Sequence, residues 1–294
     1  MVKSHVFPFA VVVAFTLFRV AAHAVEPGLP SKTAVWAAAA RAVGAKNPDK
    51  KERNPDYLAI KFLGPRERAL LPDYDMAALD IASFKEAMAR LGVRLPVSSH
   101  AYRTRAFDKA LLDAVHDGAR QVVVLGAGFD SRGYRFAREL RAVQLMEVDY
   151  PPTQEYKKQR VTEIMGALPG NVSYVPMDFT KDDLLTQLEE SGYSERVKTF
   201  FLWEGVVFYL PESSVKDTLH FVRDHAARGS RIAFNYTYAY DRNVNNPESL
   251  YARWGEPWLF GFPDDGAAAY MRGEGLNVLS DTHEVQNICI AVVR

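Results

Sequence analysis

Between residues 121 and 237 the chain alternates short apolar runs with longer amphipathic stretches. The runs are "QVVVLG" (121–126), "VQLMEVD" (143–149), "VSYVPMD" (172–178), "KTFFLWEG" (198–205) and "RIAFNYT" (231–237). Runs this short, with few polar residues on either face, predict strands covered on both sides. Helical patterns fill the gaps near 132–140, 151–166, 180–191 and 211–228. On the last of these, Val215, Leu219, Val222 and Ala226 form one apolar stripe. Thr180 with Asp183 resembles a capping box, and Pro211 suits a first helical turn. Strands and helices alternating in this way predict an α/β fold, a doubly wound and mostly parallel sheet.

The flanks read differently. "KTAVWAAAARAV" (32–43) is helical by composition, "GAKNPDKKERNPDY" (44–57) is a polar loop, and 73–92 has the pattern of a second helix. After the break at "VRLPVSSH", Phe107, Leu111, Ala114 and Val115 recur at helical spacing up to a stop at Gly118. Residues 25–100 therefore form a helical N-terminal cap, and 101–294 a Rossmann-like core. An aromatic, turn-rich segment near 241–273 reads as a lid. "LNVLSD" and "NICIAVV" read as an antiparallel C-terminal strand pair. Residues 1–24 have the layout of a signal or anchor segment: Lys3, an apolar run from Val6 to Phe18, and "AHA" before a cut after Ala24. Membrane contact is expected only through those residues.

Composition narrows the function classes. The 294 residues carry 36 Lys plus Arg against 36 Asp plus Glu. A nucleic-acid partner, which calls for a basic excess or stripe, is not expected. The one cysteine, Cys289, excludes an intrachain disulfide and reads as a thiol buried in a strand. The seven histidines are scattered without metal-ligand spacing, so no metal site is expected.

The chemistry concentrates in "VVVLGAGFDSR" and "MEVDY". Gly126 and Gly128 follow the first strand at once, where small residues let a ligand approach the backbone. Ser131 stands where a dinucleotide fingerprint has its third glycine, and the lysine of a phosphate-binding loop is absent. The turn suits a nucleoside without phosphates at least as well as NAD. Asp149, ending the second strand, is placed to accept hydrogen bonds from both ribose hydroxyls, or simply to cap the next helix. Asp178 and Phe179, after the third strand, could take an adenine amino group and ring.

"AYRTRAFDKALLDAV", "VVVLGAGFDSRGYR", "MEVDYPPTQEYKKQR" and "WEGVVFYLP", in that order, resemble the leucine carboxyl methyltransferase-like family of S-adenosylmethionine-dependent methyltransferases. The resemblance runs from about Ser31 to the C-terminus. It implies S-adenosylmethionine as cofactor. It also implies that Lys32 and Arg105 bind the methionine carboxylate, that Gly126 lies against the cofactor, and that Asp149 holds the ribose. By the same resemblance Asp178 and Phe179 flank the adenine, and Glu204 accepts from the ammonium. A zwitterionic tail needs a cation near one end and an anion near the other.

The expected reaction is O-methylation of a small-molecule or peptide carboxylate or hydroxyl. An ionised carboxylate would need no general base. Tyr209, Tyr236 and Tyr238 are candidates for the acceptor side, as are Trp254, Trp258 and Phe260 for the lid; core packing explains each of them equally well. The alternatives are an NAD-dependent oxidoreductase and a binding protein that has kept the cofactor fold without the transfer chemistry. The leader argues for export or anchoring, whereas the cofactor's supply argues for the cytoplasm.

Overall fold

The structure, a computed structural model, describes residues 29–91 and 95–294. The leader-like residues 1–24 lie outside these. Five strands run parallel: β1 (Gln121–Leu125), β2 (Gln144–Asp149), β3 (Val172–Pro176), β4 (Thr199–Trp203) and β5 (Arg231–Tyr236). β6 (Asn277–His283) and β7 (Asn287–Val292) form an antiparallel pair, and β7 joins antiparallel to β5. The sheet order is β3-β2-β1-β4-β5-β7-β6. The mostly parallel, doubly wound sheet with an antiparallel C-terminal pair is thus observed as expected.

Successive residues of each strand serve two cores. Val122, Val124, Phe200 and Leu202 face one side, with Phe107 and Leu111 of α4 (Val97–His116), Val35 of α1 (Lys32–Gly44) and Val161 of α6 (Pro151–Met165). Val123, Leu125, Phe201, Trp203 and Phe234 face the other. They meet Leu188 of α7 (Leu184–Glu190), Val215, Leu219 and Val222 of α8 (Glu212–His225), and Met271 of α10 (Gly266–Gly273). Each such side chain, fully removed from water, contributes about 1.5–3 kcal/mol. Cys289 lies fully buried in the second core, which pushes its thiol pKa up. Among the described residues no helix is long and apolar enough to cross a membrane.

Several helix boundaries differ from expectation. Residues 73–92 split into a 3-10 turn, Met76–Asp80, and α3 (Phe84–Leu91). The Lys46 ammonium bonds the carbonyls of Leu79 and Ile81 at 2.5 and 2.6 Å, acceptors that a continuing helix would use itself. The 132–140 segment keeps only one turn, α5 (Arg132–Arg135). α7 starts at Leu184 with Asp183 as its N-cap, accepting from Thr186 N at 2.8 Å, and Thr180 belongs to the preceding turn. Pro211 is the N-cap residue of α8 and precedes its first turn. Short helices α2 (Pro65–Ala69) and α9 (Leu250–Arg253) complete the chain.

Candidate functional site

The sheet order reverses between β1 and β4, so the connections leave in opposite directions and open a crevice at the carboxyl ends of the strands. A cleft of about 810 Å³ lies there. That volume suits a ligand of nucleoside size.

The floor is the turn after β1. Gly126 has φ +68°, and a Cβ there would run into Val206 Cγ2, so a side chain is disfavoured by conformation and by space. Gly126 N donates to Val148 O at 2.8 Å. Gly128 N donates to the Asp149 carboxylate, whose other oxygen accepts from Tyr150 N at 2.7 Å. Burial pushes the Asp149 pKa up to about 6, against the opposing pull of those two N–H groups. Asp149 therefore fastens the Gly turn to the end of β2 while facing the cleft.

Around Glu204, just past β4, four arginines and four carboxylates interlock. Arg103 Nε donates to Glu204 Oε1 and Arg132 Nη2 to Glu204 Oε2, both at 2.7 Å. Arg132 also pairs with Asp108 (2.8 Å) and with Asp130. Arg135 bonds Asp108 through both terminal nitrogens at 2.8 Å, and Arg41 Nε bonds Asp56 at 2.8 Å. Glu204 is buried, yet the Arg132 and Arg103 guanidiniums outweigh that cost and hold its carboxyl well below the usual range. Buried charges persist only in such mutual satisfaction.

At the far edge, Asp178 accepts from Thr180 N (3.0 Å), Thr180 Oγ1 (2.7 Å) and Lys181 Nζ (2.7 Å). These bonds overcome partial burial and lower its pKa. Asp178 and Phe179 line the cleft, as do Gly126, Gly128, Asp149, Glu204, Tyr209, Tyr236 and Trp258.

Several expected residues are placed elsewhere. Arg105 is on α4 two positions beyond Arg103, and residues two apart on a helix point to different faces. Its guanidinium donates to Arg53 O at 3.0 Å on the outer side and is absent from the cleft wall. The Lys32 side chain is also absent from the wall; its backbone N donates to Glu256 Oε1 at 2.7 Å. Trp254 stands behind the wall, edge-on to Trp36 with centroids 6.3 Å apart. Phe260 is buried in the second core, and Tyr238 stacks on Tyr240, both outside the wall.

Residues that the sequence did not single out also line the wall. Arg103 and Arg132, both in the wall, pair with Glu204. The helical spacing held the signal: 103, 107 and 111 share one face, whereas 105 does not. Glu256, in the segment expected as a lid, accepts from Ser31 Oγ (2.7 Å), Lys32 N (2.7 Å) and both polar groups of Thr33. That segment is thereby latched to the positive N-terminal end of α1. His100 lies one turn before Arg103, with its ring edge-on to Trp36 at 5.4 Å and Nδ1 3.0 Å from Pro96 O. Burial and the Arg103 charge keep its pKa well below the ordinary imidazole value, so it is neutral at pH 7. Nothing in the sequence pattern around His100 or Glu256 signalled them, since their surroundings are assembled from distant segments.

Comparison with known proteins places this site in context. Residues 34–223 match the family described as leucine carboxyl methyltransferase. A Bacillus subtilis protein, named provisionally as an S-adenosyl-L-methionine-dependent methyltransferase, is 35% identical over 129 residues, 44% of this chain and 42% of that one. A Mycobacterium tuberculosis protein named in the same provisional way is 30% identical over 206 residues, 69% of this chain and 65% of its own length. The chain thus spans less than two thirds of the length of either relative. Among solved structures, a magnesium protoporphyrin IX methyltransferase from Synechocystis PCC 6803 with bound SAM aligns at TM-score 0.45. Its identity is 11%, over 69% of this chain and 86% of that one.

Proposed function

The chain belongs to the leucine carboxyl methyltransferase family, and from that premise we propose that it is an S-adenosylmethionine-dependent methyltransferase acting on an oxygen of a small-molecule acceptor. The observation that carries this reading is the charge pattern of the cleft. An acid, Asp149, stands beside the Gly turn, and an acid–base pair, Glu204–Arg103, stands at the end of β4. A vicinal diol and a zwitterionic amino-acid tail on one ligand match that pattern. The names of the relatives point to the same donor.

In this assignment Asp149 accepts from the ribose hydroxyls, and the Gly126–Gly128 turn leaves room for the sugar. Phe179 packs against the adenine, with Asp178 at its edge. Arg103 takes the role that the family resemblance gave to Arg105, pairing with the methionine carboxylate, and Glu204 accepts from the ammonium. When bound, the donor supplies an electrophilic methyl on a sulfonium. The protein's work is to hold the acceptor in line with that methyl, about 3 Å away, and to exclude water. The latched segment carrying Trp258 and Glu256 covers the cleft on that side.

Calorimetric titration tests the assignment. S-adenosylmethionine is expected to bind in the micromolar range and NAD not at all. Arg103→Ala should weaken donor binding about 10- to 100-fold, the scale of about 1.5–3 kcal/mol for a charged hydrogen bond. Arg105→Ala should leave binding within about twofold, because its side chain bonds the outer surface. Binding of NAD in place of the donor, or loss in Arg105→Ala but not in Arg103→Ala, would overturn it.

A further inference from the structure

We infer that His100 is the general base of the transfer and that the acceptor is a protonated hydroxyl, a phenol or alcohol, rather than a carboxylate. This rests on the methyltransferase reading above and deepens it.

The tautomer of the ring is fixed by its neighbour. Pro96 O can only accept, so the 3.0 Å contact requires His100 Nδ1 to carry the proton. The same carbonyl accepts from His100 N at 3.0 Å and from Ser99 Oγ at 3.1 Å, which fixes it at the start of α4. Nε2 is left with its lone pair and has no hydrogen-bond partner among the described residues. The ring lines the cleft. A neutral imidazole oriented by a carbonyl on one nitrogen and open on the other is the arrangement of a proton acceptor.

Its position relative to the tail site fits. His100 and Arg103 are three apart on one helix face, so their Cβ atoms are neighbours at about 5–6 Å. Arg103 and Glu204 bracket the expected amino-acid tail, and the methyl-bearing sulfur lies between that tail and the ribose. Ser99, Asn235, Tyr251 and Asn287 line the same cleft as His100, polar and aromatic groups suited to an acceptor. An acceptor that arrives already ionised would have no use for this base, and its negative charge would not call for a neutral imidazole.

In the transfer the acceptor oxygen forms a bond to the methyl carbon, the carbon–sulfur bond breaks, and its electron pair stays on sulfur. The hydroxyl proton passes to His100 Nε2, so the positive charge of the sulfonium ends on the imidazolium and leaves to solvent. The charged groups facing the ring are Arg103 on its own helix, Arg41 on α1 and Glu204 past β4; burial and the two arginines lower its pKa, and Glu204 and the Pro96 bond oppose them. A base this weak suffices because the hydroxyl becomes strongly acidic as the new carbon–oxygen bond forms.

The test uses methyl-labelled S-adenosylmethionine with catechol, 4-nitrophenol and benzoic acid as probes, the full chain as enzyme, and His116→Gln, an exposed site on the same helix, as control. Donor affinity is measured for every variant by titration. Wild type should give base-stable labelled ethers from the phenols. His100→Gln should bind donor within about threefold of wild type and lose about 10²- to 10⁴-fold in rate. His100→Ala should regain rate with added imidazole, which a packing role would not allow. Nitrogen-15 spectra of the wild type should show His100 as the neutral Nδ1–H tautomer at pH 7, a readout that survives a misfolded variant. Base-labile esters from benzoate with no ether, no ether from any phenol despite bound donor, unchanged rates in His100→Gln, or a protonated His100 would each overturn the inference. Failure of wild type to bind the donor would instead strike the methyltransferase reading itself.

Discussion

Asp149 is the residue on which pH should act most visibly. Burial raises its folded-state pKa to about 6, from 3.8. Its share of folding stability is therefore fully present below about pH 4 and is lost as pH rises through about 6. In the proposed assignment ligand binding carries the opposite sign, because ribose hydroxyls would donate to the ionised form. Donor affinity should rise up to about tenfold between pH 5 and 7 and then level off, whereas Asp149→Asn should bind weakly with little change across that range. Titration at several pH values checks this; a wild-type affinity that falls as pH rises would refute it. Among single residues, the sequence was legible where one ends a strand. Gly126, Asp149 and Glu204 all follow directly from strand ends, and strand ends in a parallel sheet face the crevice. It was less legible on helices. In "YRTR" the helical phase set by buried Phe107 and Leu111 turns Arg103 into the cleft wall and Arg105 away from it.

Among the elements, α6 is pinned to the sheet by a fully buried ion pair, Lys157 Nζ to Glu147 Oε2 at 2.6 Å. Glu147 lies on β2 two residues before Asp149, so the pair fixes the strand end that carries Asp149. Burial pushes the Glu147 pKa up to about 7 even with Lys157 opposing. Lys157→Met strands that carboxylate and should cost about 3–5 kcal/mol in urea unfolding. The double variant Glu147→Leu/Lys157→Met should recover most of the loss, since an apolar pair of similar volume has no charge to bury. Equal losses in the single and double variants would contradict this. Element boundaries were the least legible feature of the sequence. The split of 73–92 arises from Lys46 reaching two carbonyls more than thirty positions away, and no local pattern encodes that contact. Asp183 as the cap of α7 is local, but Thr180 offered a competing reading that Asp178 resolves by engaging it.

For the molecule as a whole, the cleft depends on how the strands line up. Strand alternation between 121 and 237 makes the sheet readable, because residues such as Val122 and Val123 must satisfy two different cores. The reversal of strand order then fixes where a ligand enters. The latch at Glu256 and the charge network around Glu204 are products of packing among α1, α4, β4 and the 241–273 segment, so they emerge only in three dimensions. A crystal structure of the protein with S-adenosylhomocysteine would probe this arrangement without intermediaries. The sugar should lie against Asp149 above Gly126, with the ligand's carboxylate at Arg103 and its amino group at Glu204. A ligand bound elsewhere, or one whose tail turns away from Arg103 and Glu204, would refute the assignment on which the proposed transfer stands.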